Sequence, residues 1–201
     1  MIPVVPVNEP PNFDANVRQP GLSWLQSKGL AGLVTLPPKA KIPDYWTKCL
    51  PELRTSYAHI CAYTSLRIHK VTGAHSVDHF APKSRAPDHA YEWSNYRLAC
   101  AKLNARKNNF TDVLDPFLLK PLTFELGVLD GSISLAPVLL QNDQAIAELT
   151  ITRLKLDDQE MRSARLDLID QYLANEFSSN FLRSESPFIW SELQRQGMLR
   201  P

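Results

Sequence analysis

Alternation of apolar and polar residues in the first half of the chain predicts short strands followed by a helix. Residues 66–71 (LRIHKV) alternate apolar and basic side chains, which is typical of a strand. A second strand is predicted to end at Asp78 and His79, and a third covers residues 96–100 (YRLAC). Residues 101–108 follow as a helix. The strand that ends at His79, the strand at residues 96–100 and the helix at residues 101–108 follow one another along the chain, and this mixture of strands and helix indicates an α+β fold.

The last third of the chain predicts one hairpin and three helices. Residues 122–136 alternate on both sides of Asp130-Gly131, a pair that favours a type I′ turn. Asn142 is predicted to cap a helix that ends at Leu154. Asp157 and Glu160 form a capping-box-like start for a long helix to about Phe177. Its predicted buried face is Met161, Ala164, Leu168 and Tyr172. A final helix covers residues 187–196, after a proline that the first turn tolerates and before Gly197.

Proline dominates the beginning of the chain. Residues 1–43 hold eight of the sixteen prolines, so this part is predicted to be an extended arm, with Val4, Val5, Val7 and Phe13 as possible anchors. Within it, residues 21–30 predict a short helix that buries Trp24 and Leu25. Asp44 is predicted to cap a helix over residues 45–50, and Pro51 suits the first turn of the next helix, residues 51–57.

Composition narrows the class of protein. With 201 residues, 44% apolar, 21% charged and a net charge of +1, the chain is typical of a globular protein. The sequence contains no run of eighteen apolar residues and no secretory signal pattern, so we expect no membrane association and a cytoplasmic location. Residues 61–120 carry nine Lys and Arg against five Asp and Glu, whereas residues 121–201 carry seven against twelve.

Candidate chemistry is concentrated in residues 75–107, HSVDHFAPKSRAPDHAYEWSNYRLACAKLNARK. Asp78 offers a hard oxygen ligand for Mg²⁺ or Mn²⁺, and Asn104 on the following helix is the candidate second ligand. His79 points to the opposite side of the strand from Asp78 and is the candidate general base. Lys107 lies one helical turn from Asn104. Together these residues indicate metal-assisted cleavage of a phosphodiester bond.

This stretch resembles the HNH endonuclease motif, also called the ββα-metal fold, over residues 61–117. The resemblance implies a ββα-metal core in which His79, Asn95 and Asn104 are catalytic and Asp78 and Asn104 hold the metal. It also implies that Asn95 braces the loop and the histidine. Arg97 and Lys107 are expected to meet phosphate oxygens of DNA, and Lys83 in the loop is a further candidate for DNA binding.

The cysteines bear on structural zinc. Many HNH proteins carry zinc on two C-x-x-C pairs, but here those pairs read Cys61-Ala-Tyr-Thr64 and Cys100-Ala-Lys-Leu103. Because structural zinc usually needs four nitrogen or sulfur ligands, we expect none. A site completed by His59 or His69 remains an alternative.

The wider layout resembles the HNH subunits of Septu and retron-linked anti-phage defence systems. That resemblance implies an ABC/SMC-like ATPase partner that controls DNA cleavage. The predicted domains are a proline-rich arm (1–43), an HNH nuclease core (44–120) and a hairpin with a helical C-terminal extension packed on the core (121–201). Two alternatives stay open, a catalytically silent HNH-fold subunit that binds DNA or serves as a scaffold, and a nuclease that cleaves RNA.

Overall fold

The computed structural model describes residues 1–137, 139 and 141–200, but not the side chains of Gln141 and Asn142. In this part of the chain, seven α-helices and two antiparallel two-stranded sheets form an α+β fold, as predicted. In chain order the elements are α1 (Gln19–Ser27), α2 (Leu50–Ser56), β1 (His75–His79), β2 (Tyr96–Cys100), α3 (Ala101–Lys107), β3 (Phe124–Leu126), β4 (Ile133–Leu135), α4 (Gln141–Leu154), α5 (Gln159–Leu173), α6 (Ser179–Glu185) and α7 (Pro187–Arg195).

The chain divides into two compact units whose segments interleave in sequence. Residues 5–59 and 68–111 form the first, which we name the site unit. Residues 1–4, 60–67 and 112–200 form the second, the helical unit. The sheet β1–β2 and helices α1 to α3 belong to the site unit, and the remaining helices and the sheet β3–β4 belong to the helical unit.

The centre of the site unit is the pair β1–β2, followed at once by α3. His75 lies opposite Cys100, Asp78 opposite Arg97 and His79 opposite Tyr96, so the two strands are antiparallel over their whole length. The amide of Ala101 donates to Ala74 O (2.8 Å), which fixes the start of α3 at the sheet. The predicted strand ending at His79, the strand 96–100 and the helix that follows are confirmed.

Helical turns before β1 follow the sequence pattern with one exception. Helix α1 covers most of the predicted residues 21–30 and buries Leu25, while Trp24 is half-buried. Pro51 lies in the first turn of α2, as predicted. Asp44 lies at the predicted N-cap position of the tight turn Tyr45–Cys49, but its side chain makes no capping hydrogen bond, and its backbone carbonyl accepts from Thr47 instead.

The proline-rich arm is packed along its own chain. Val4 N donates to Pro116 O (2.9 Å) within the helical unit. In the site unit, Val7 O accepts from the Trp93 indole (2.9 Å), and Phe13 meets the Trp93 ring edge-on at 5.5 Å. Of the four predicted anchors Phe13 is buried, Val4 and Val7 are half-buried, and Val5 is exposed.

The strand predicted at residues 66–71 is wrong. Among the described residues, a single bridge forms there, between Ile60 and Arg67 in the helical unit. The amide of Arg67 donates to Glu185 O (2.8 Å), and Gly73 N donates to His69 O (2.9 Å) to close a turn. These backbone groups are bonded outside a strand ladder, so the apolar-basic alternation does not produce a strand.

The predicted hairpin forms from β3 and β4, but its turn is not a two-residue type I′ turn. Leu126 pairs with Ile133, which leaves residues 127–132 in the loop. Gly127 N donates to Ser132 O (2.9 Å), and the Asp130 carboxylate accepts from Ser132 N (3.0 Å). Asp130 thus acts through its side chain inside a longer loop, in which Gly131 has a positive φ of 67°.

The C-terminal helices differ from the prediction mainly at their ends. Helix α4 ends at Leu154 as predicted, and the predicted Asn142 cap lies outside the described side chains. Asp158, not Asp157, caps α5 by accepting from Met161 N (2.8 Å). The helix ends at Leu173 rather than near Phe177, and α6 was not predicted. The final helix, α7, begins at Pro187 as predicted, and Gly197 follows it with a φ of 71°.

The predicted buried face of α5 is wrong in part. The buried residues are Met161, Arg165, Ile169 and Tyr172. Arg165 is buried because its Nε donates to Gly131 O (2.6 Å) and its Nη1 to Leu156 O (2.9 Å). A basic residue does not count as apolar in the sequence pattern, so the pattern selected Ala164 and Leu168, which are half-buried.

Candidate active site

Four of the seven predicted site residues line one open cleft of about 540 Å³ in the site unit. They are Asp78 and His79 at the end of β1, Lys83 in the following loop, and Asn104 on α3. This juxtaposition follows from the chain path, because α3 packs against the β1–β2 pair directly after β2. Asn95, Arg97 and Lys107 are not among the described residues that line the cleft.

The ring of His79 is held on three sides. Its Nε2 lies 2.9 Å from Ala90 O, Trp46 meets it edge-on at 4.6 Å, and Tyr96 does so at 5.2 Å. Because a carbonyl only accepts, the proton of the neutral ring is on Nε2, and Nδ1 is the nitrogen that can take up a further proton.

Burial determines the charge of His79. The side chain is 8% exposed, and desolvation lowers its pKa to about 3. The positive charge of Lys83 acts in the same direction, while the hydrogen bond to Ala90 O opposes the change. His79 is therefore neutral at physiological pH.

Asn95 braces the loop that carries Lys83. Its Oδ1 accepts from Ala81 N (2.7 Å), and its Nδ2 donates to Ala81 O (3.0 Å) and His89 O (2.9 Å). The backbone of Phe80 also donates to Asn95 O (2.9 Å). One buried side chain thus closes the loop between β1 and β2 at both ends.

Asp78 has a buried cation beside it. Lys107 is completely buried, and its Nζ donates to His79 O and Phe80 O, both at 2.8 Å. The same Nζ lies 3.5 Å from Asp78 Oδ1, whose side chain is 2% exposed. In this arrangement Lys107 joins the end of α3 to the end of β1, and a phosphate could reach it only after a rearrangement.

Arg97 is also buried, although it was predicted to contact phosphate. Its guanidinium donates to Ser94 O (2.7 Å) and Tyr96 O (3.0 Å) and lies over the Phe80 ring at 5.1 Å. These contacts stabilise the start of β2. Contact with nucleic acid by Arg97 or Lys107 stays a prediction.

Asn104 is held so that its amide nitrogen faces the strand. Nδ2 donates to Ser76 Oγ, with Val77 O a further acceptor at 3.4 Å. Among the described residues no group donates a hydrogen bond to Oδ1, so this oxygen remains as a ligand for a cation. A carboxylate oxygen from Asp78 and an amide oxygen from Asn104 fit a hard divalent ion such as Mg²⁺.

The predicted metal site has too few His, Cys, Asp or Glu side chains to form a conventional ligand cluster. Within the described part of the chain, no three His, Cys, Asp or Glu side chains are grouped as metal ligands. The predicted set contains a single carboxylate and an amide, and Mg²⁺ usually keeps several waters. Cys49 and Cys61 are buried and Cys100 is half-buried; no disulfide joins cysteines in the described residues.

Two residues at the site were missed by sequence reasoning. Trp46 contacts both His79 and Lys83, whose Nζ lies 4.1 Å from the centre of the indole ring, yet the sequence indicated only a helix over residues 45–50 there. Ser76 contacts Asn104 from β1. Ser76 lies two residues before Asp78, so the same-face periodicity of a strand was a signal that could have identified it.

Comparison with known proteins does not assign this chain to a family. No family model matches the sequence, and no curated protein matches it. No helix in the described residues is long and apolar enough to cross a membrane.

Proposed function

We propose that the chain is a metal-dependent HNH-type endonuclease that hydrolyses phosphodiester bonds in DNA. The observation that carries this proposal is the shared cleft of Asp78, His79 and Asn104, since it joins two oxygen donors with a neutral imidazole. The order β1–β2–α3, with Asn95 bracing the intervening loop, supports a ββα-metal core.

Each residue has a role in this proposal. Asp78 and Asn104 would hold Mg²⁺ or Mn²⁺, which supplies charge stabilisation at the attacked phosphate and the leaving 3′ oxygen. His79 keeps its proton on Nε2 through Ala90 O and accepts the proton of the attacking water at Nδ1. Lys107 keeps the end of β1 in place through the carbonyls of His79 and Phe80.

We also propose that the chain acts with an ABC/SMC-like ATPase in bacterial anti-phage defence, with the ATPase controlling cleavage. Two arguments support this partner: the resemblance to the defence-system subunits, and the small number of cations in the cleft. The described residues that line the cleft include Asp44 and Asp78 but only one lysine, Lys83. So few cations attract DNA weakly, because non-specific affinity grows with the number of phosphates that are neutralised.

A catalytically silent subunit is the second candidate, and two observations favour it. His79 is nearly inaccessible, with a pKa far below that of an effective base at pH 7, and an ammonium group lies beside Asp78. Such a subunit would bind DNA or organise its ATPase partner without cleaving.

One assay separates these functions. The purified chain is incubated with plasmid DNA, linear DNA and RNA in Mg²⁺, Mn²⁺ or EDTA, alone and with candidate ATPase partners plus ATP. The proposal predicts metal-dependent cuts in DNA that increase or become nucleotide-controlled with a partner. Cleavage of RNA alone would reassign the substrate. Binding without cleavage under every condition would establish the silent subunit.

A further inference from the structure

Trp46 occupies a special position in the cleft wall because it contacts two candidate functional residues at once. Its ring meets His79 edge-on, with the centroids 4.6 Å apart and the planes at 86°. The ammonium of Lys83 lies 4.1 Å from the centre of the same ring, a cation–π geometry. Trp46, His79 and Lys83 all line the cleft.

The backbone around Trp46 holds the indole in this position. Thr47 N donates to Asp44 O (3.0 Å), and Cys49 Sγ donates to Trp46 O (3.1 Å), so the turn Tyr45–Cys49 is closed on both sides of the residue. The indole also lies 6.0 Å from the Tyr91 ring. Trp46 is 6% exposed, so it serves as a wall of the cleft and cannot offer its face for stacking on a base.

Lys83 is the cation that a phosphate in this cleft would meet. Among the described residues that line the cleft it is the only lysine or arginine. Its side chain is half-buried, and burial lowers its pKa while Asp44 opposes the change. An ammonium that is partly removed from water and held on an aromatic ring has lost part of its freedom before a ligand arrives, which favours binding.

From these contacts we propose that Trp46 is a positioning residue that fixes His79 and Lys83 relative to each other, and that Lys83 binds a backbone phosphate of the nucleic acid strand entering the cleft. The inference rests on the proposed nuclease function and adds a phosphate subsite to it. Because Lys83 contacts a phosphate and not a base, binding at this subsite does not depend on the nucleotide sequence.

The test uses two pairs of variants and a double variant. Lys83→Met removes the charge and Lys83→Arg keeps it; Trp46→Leu removes the aromatic ring and Trp46→Phe keeps one. The double variant combines Lys83→Met with Trp46→Leu. The control is Lys70→Met, since Lys70 is an exposed lysine of the same unit that does not line the cleft. Circular dichroism melts show that each variant is folded at the assay temperature.

Two readouts are taken on the whole chain with a short fluorescein-labelled oligodeoxynucleotide, single-stranded and duplex. The first is the dissociation constant from fluorescence anisotropy in EDTA, and the second is kcat and KM for cleavage in Mg²⁺. Lys83→Met should raise both the dissociation constant and KM about tenfold, as expected for a lost charged contact. Lys83→Arg should restore both, and Lys70→Met should change neither.

Coupling between the two residues is the decisive result. Trp46→Leu should raise KM and lower kcat in the wild type, but in the Lys83→Met background it should lower kcat alone. Trp46→Phe should recover most of both. The inference is overturned if Lys83→Met stays within about twofold of the wild type, or if Trp46→Leu raises KM equally in both backgrounds.

The nuclease proposal and the subsite can fail separately. If the wild type binds the oligonucleotide without cleaving it, and the Lys83 and Trp46 effects on binding persist, the nuclease proposal fails and the subsite stands. If the wild type cleaves and neither residue alters binding or KM, the subsite fails and the nuclease proposal stands.

Discussion

At the scale of single residues, His79 is the proposed general base and also a structural part of the site unit. Its Nε2 is bonded to Ala90 O, and two aromatic rings enclose it, so removal of the ring leaves a cavity in the site unit. The position of His79 at the end of a predicted strand does not show whether its ring is buried. At 8% exposure it is inside, which changes what its substitution does.

His79→Ala should therefore affect both activity and stability. Loss of a general base lowers the cleavage rate by on the order of 10² to 10⁴, and the cavity lowers the free energy of unfolding by about 2 kcal/mol. Single-turnover cleavage and urea denaturation measure the two effects. Tyr96→Phe, which removes only the second hydrogen bond to Ala90 O, is the matched control and should keep its activity. Retention of more than about a tenth of the wild-type rate by His79→Ala would remove His79 from the mechanism.

The charge of His79 also links stability to pH. Its pKa is about 3 in the folded chain and 6.5 in the unfolded one, so the unfolded state binds more protons between these values. This contribution to stability is fully present above pH 6.5 and is lost as pH falls toward 3. As pH falls from 6.5 toward 3, the free energy of unfolding of the wild type should decrease toward that of His79→Gln, by up to about 1.4 kcal/mol per pH unit. Parallel curves from pH 7 to pH 4 would contradict this burial.

Individual residues differ in how much of their role the sequence could reveal. Asp78 and His79 lie on β1 and Asn104 lies on α3, with β2 between these two elements, so a local pattern was enough to bring the three residues to one cleft. The position of Lys107 depends on how the last turn of α3 meets the end of β1. No local pattern encodes that contact, so the lysine was predicted to meet phosphate oxygens although it is completely buried.

At the scale of elements, the loop between β1 and β2 depends on one amide side chain. Asn95→Ala removes three hydrogen bonds to the backbone of Ala81 and His89. We expect a loss of about 2–3 kcal/mol in the free energy of unfolding, since the backbone groups lose their partners. Chemical denaturation and amide exchange at Ala81 measure this loss. Asn16→Ala, an exposed asparagine of the same unit, should change stability little. Equal effects of the two substitutions would show that Asn95 does not brace the loop.

Elements were predictable where local signals agreed and unpredictable where partners lay far away in the sequence. The strand YRLAC, the helix after it and the helix starting at Pro187 carry apolar pattern and boundary residues together. The run at residues 66–71 also alternates, but Arg67 N is bonded to Glu185 O. Helix α6 has only seven residues and a Ser178 cap, and its sequence, SNFLRSE, has little apolar pattern.

At the scale of the whole molecule, the sequence order hides how the chain is divided. Residues 60–67 belong to the helical unit although the segments on both sides of them belong to the site unit. A reading along the chain produces contiguous segments and cannot show this interleaving. The distribution of charge along the whole chain could be predicted, because the sequence shows an excess of acidic residues after residue 120.

The central claim is that Asp78, His79 and Asn104 form a metal-dependent nuclease site. The most direct test is the rate of DNA cleavage as a function of Mg²⁺ concentration, for the wild type, Asp78→Asn and Asn104→Ala, with Lys70→Met as control. Asp78→Asn is chosen because it keeps an oxygen near the buried Lys107. The wild type and the control should show saturable cleavage that EDTA abolishes, and each site variant should lose more than about a hundredfold. Cleavage that persists in EDTA, or site variants that cut at the wild-type rate, would contradict the claim.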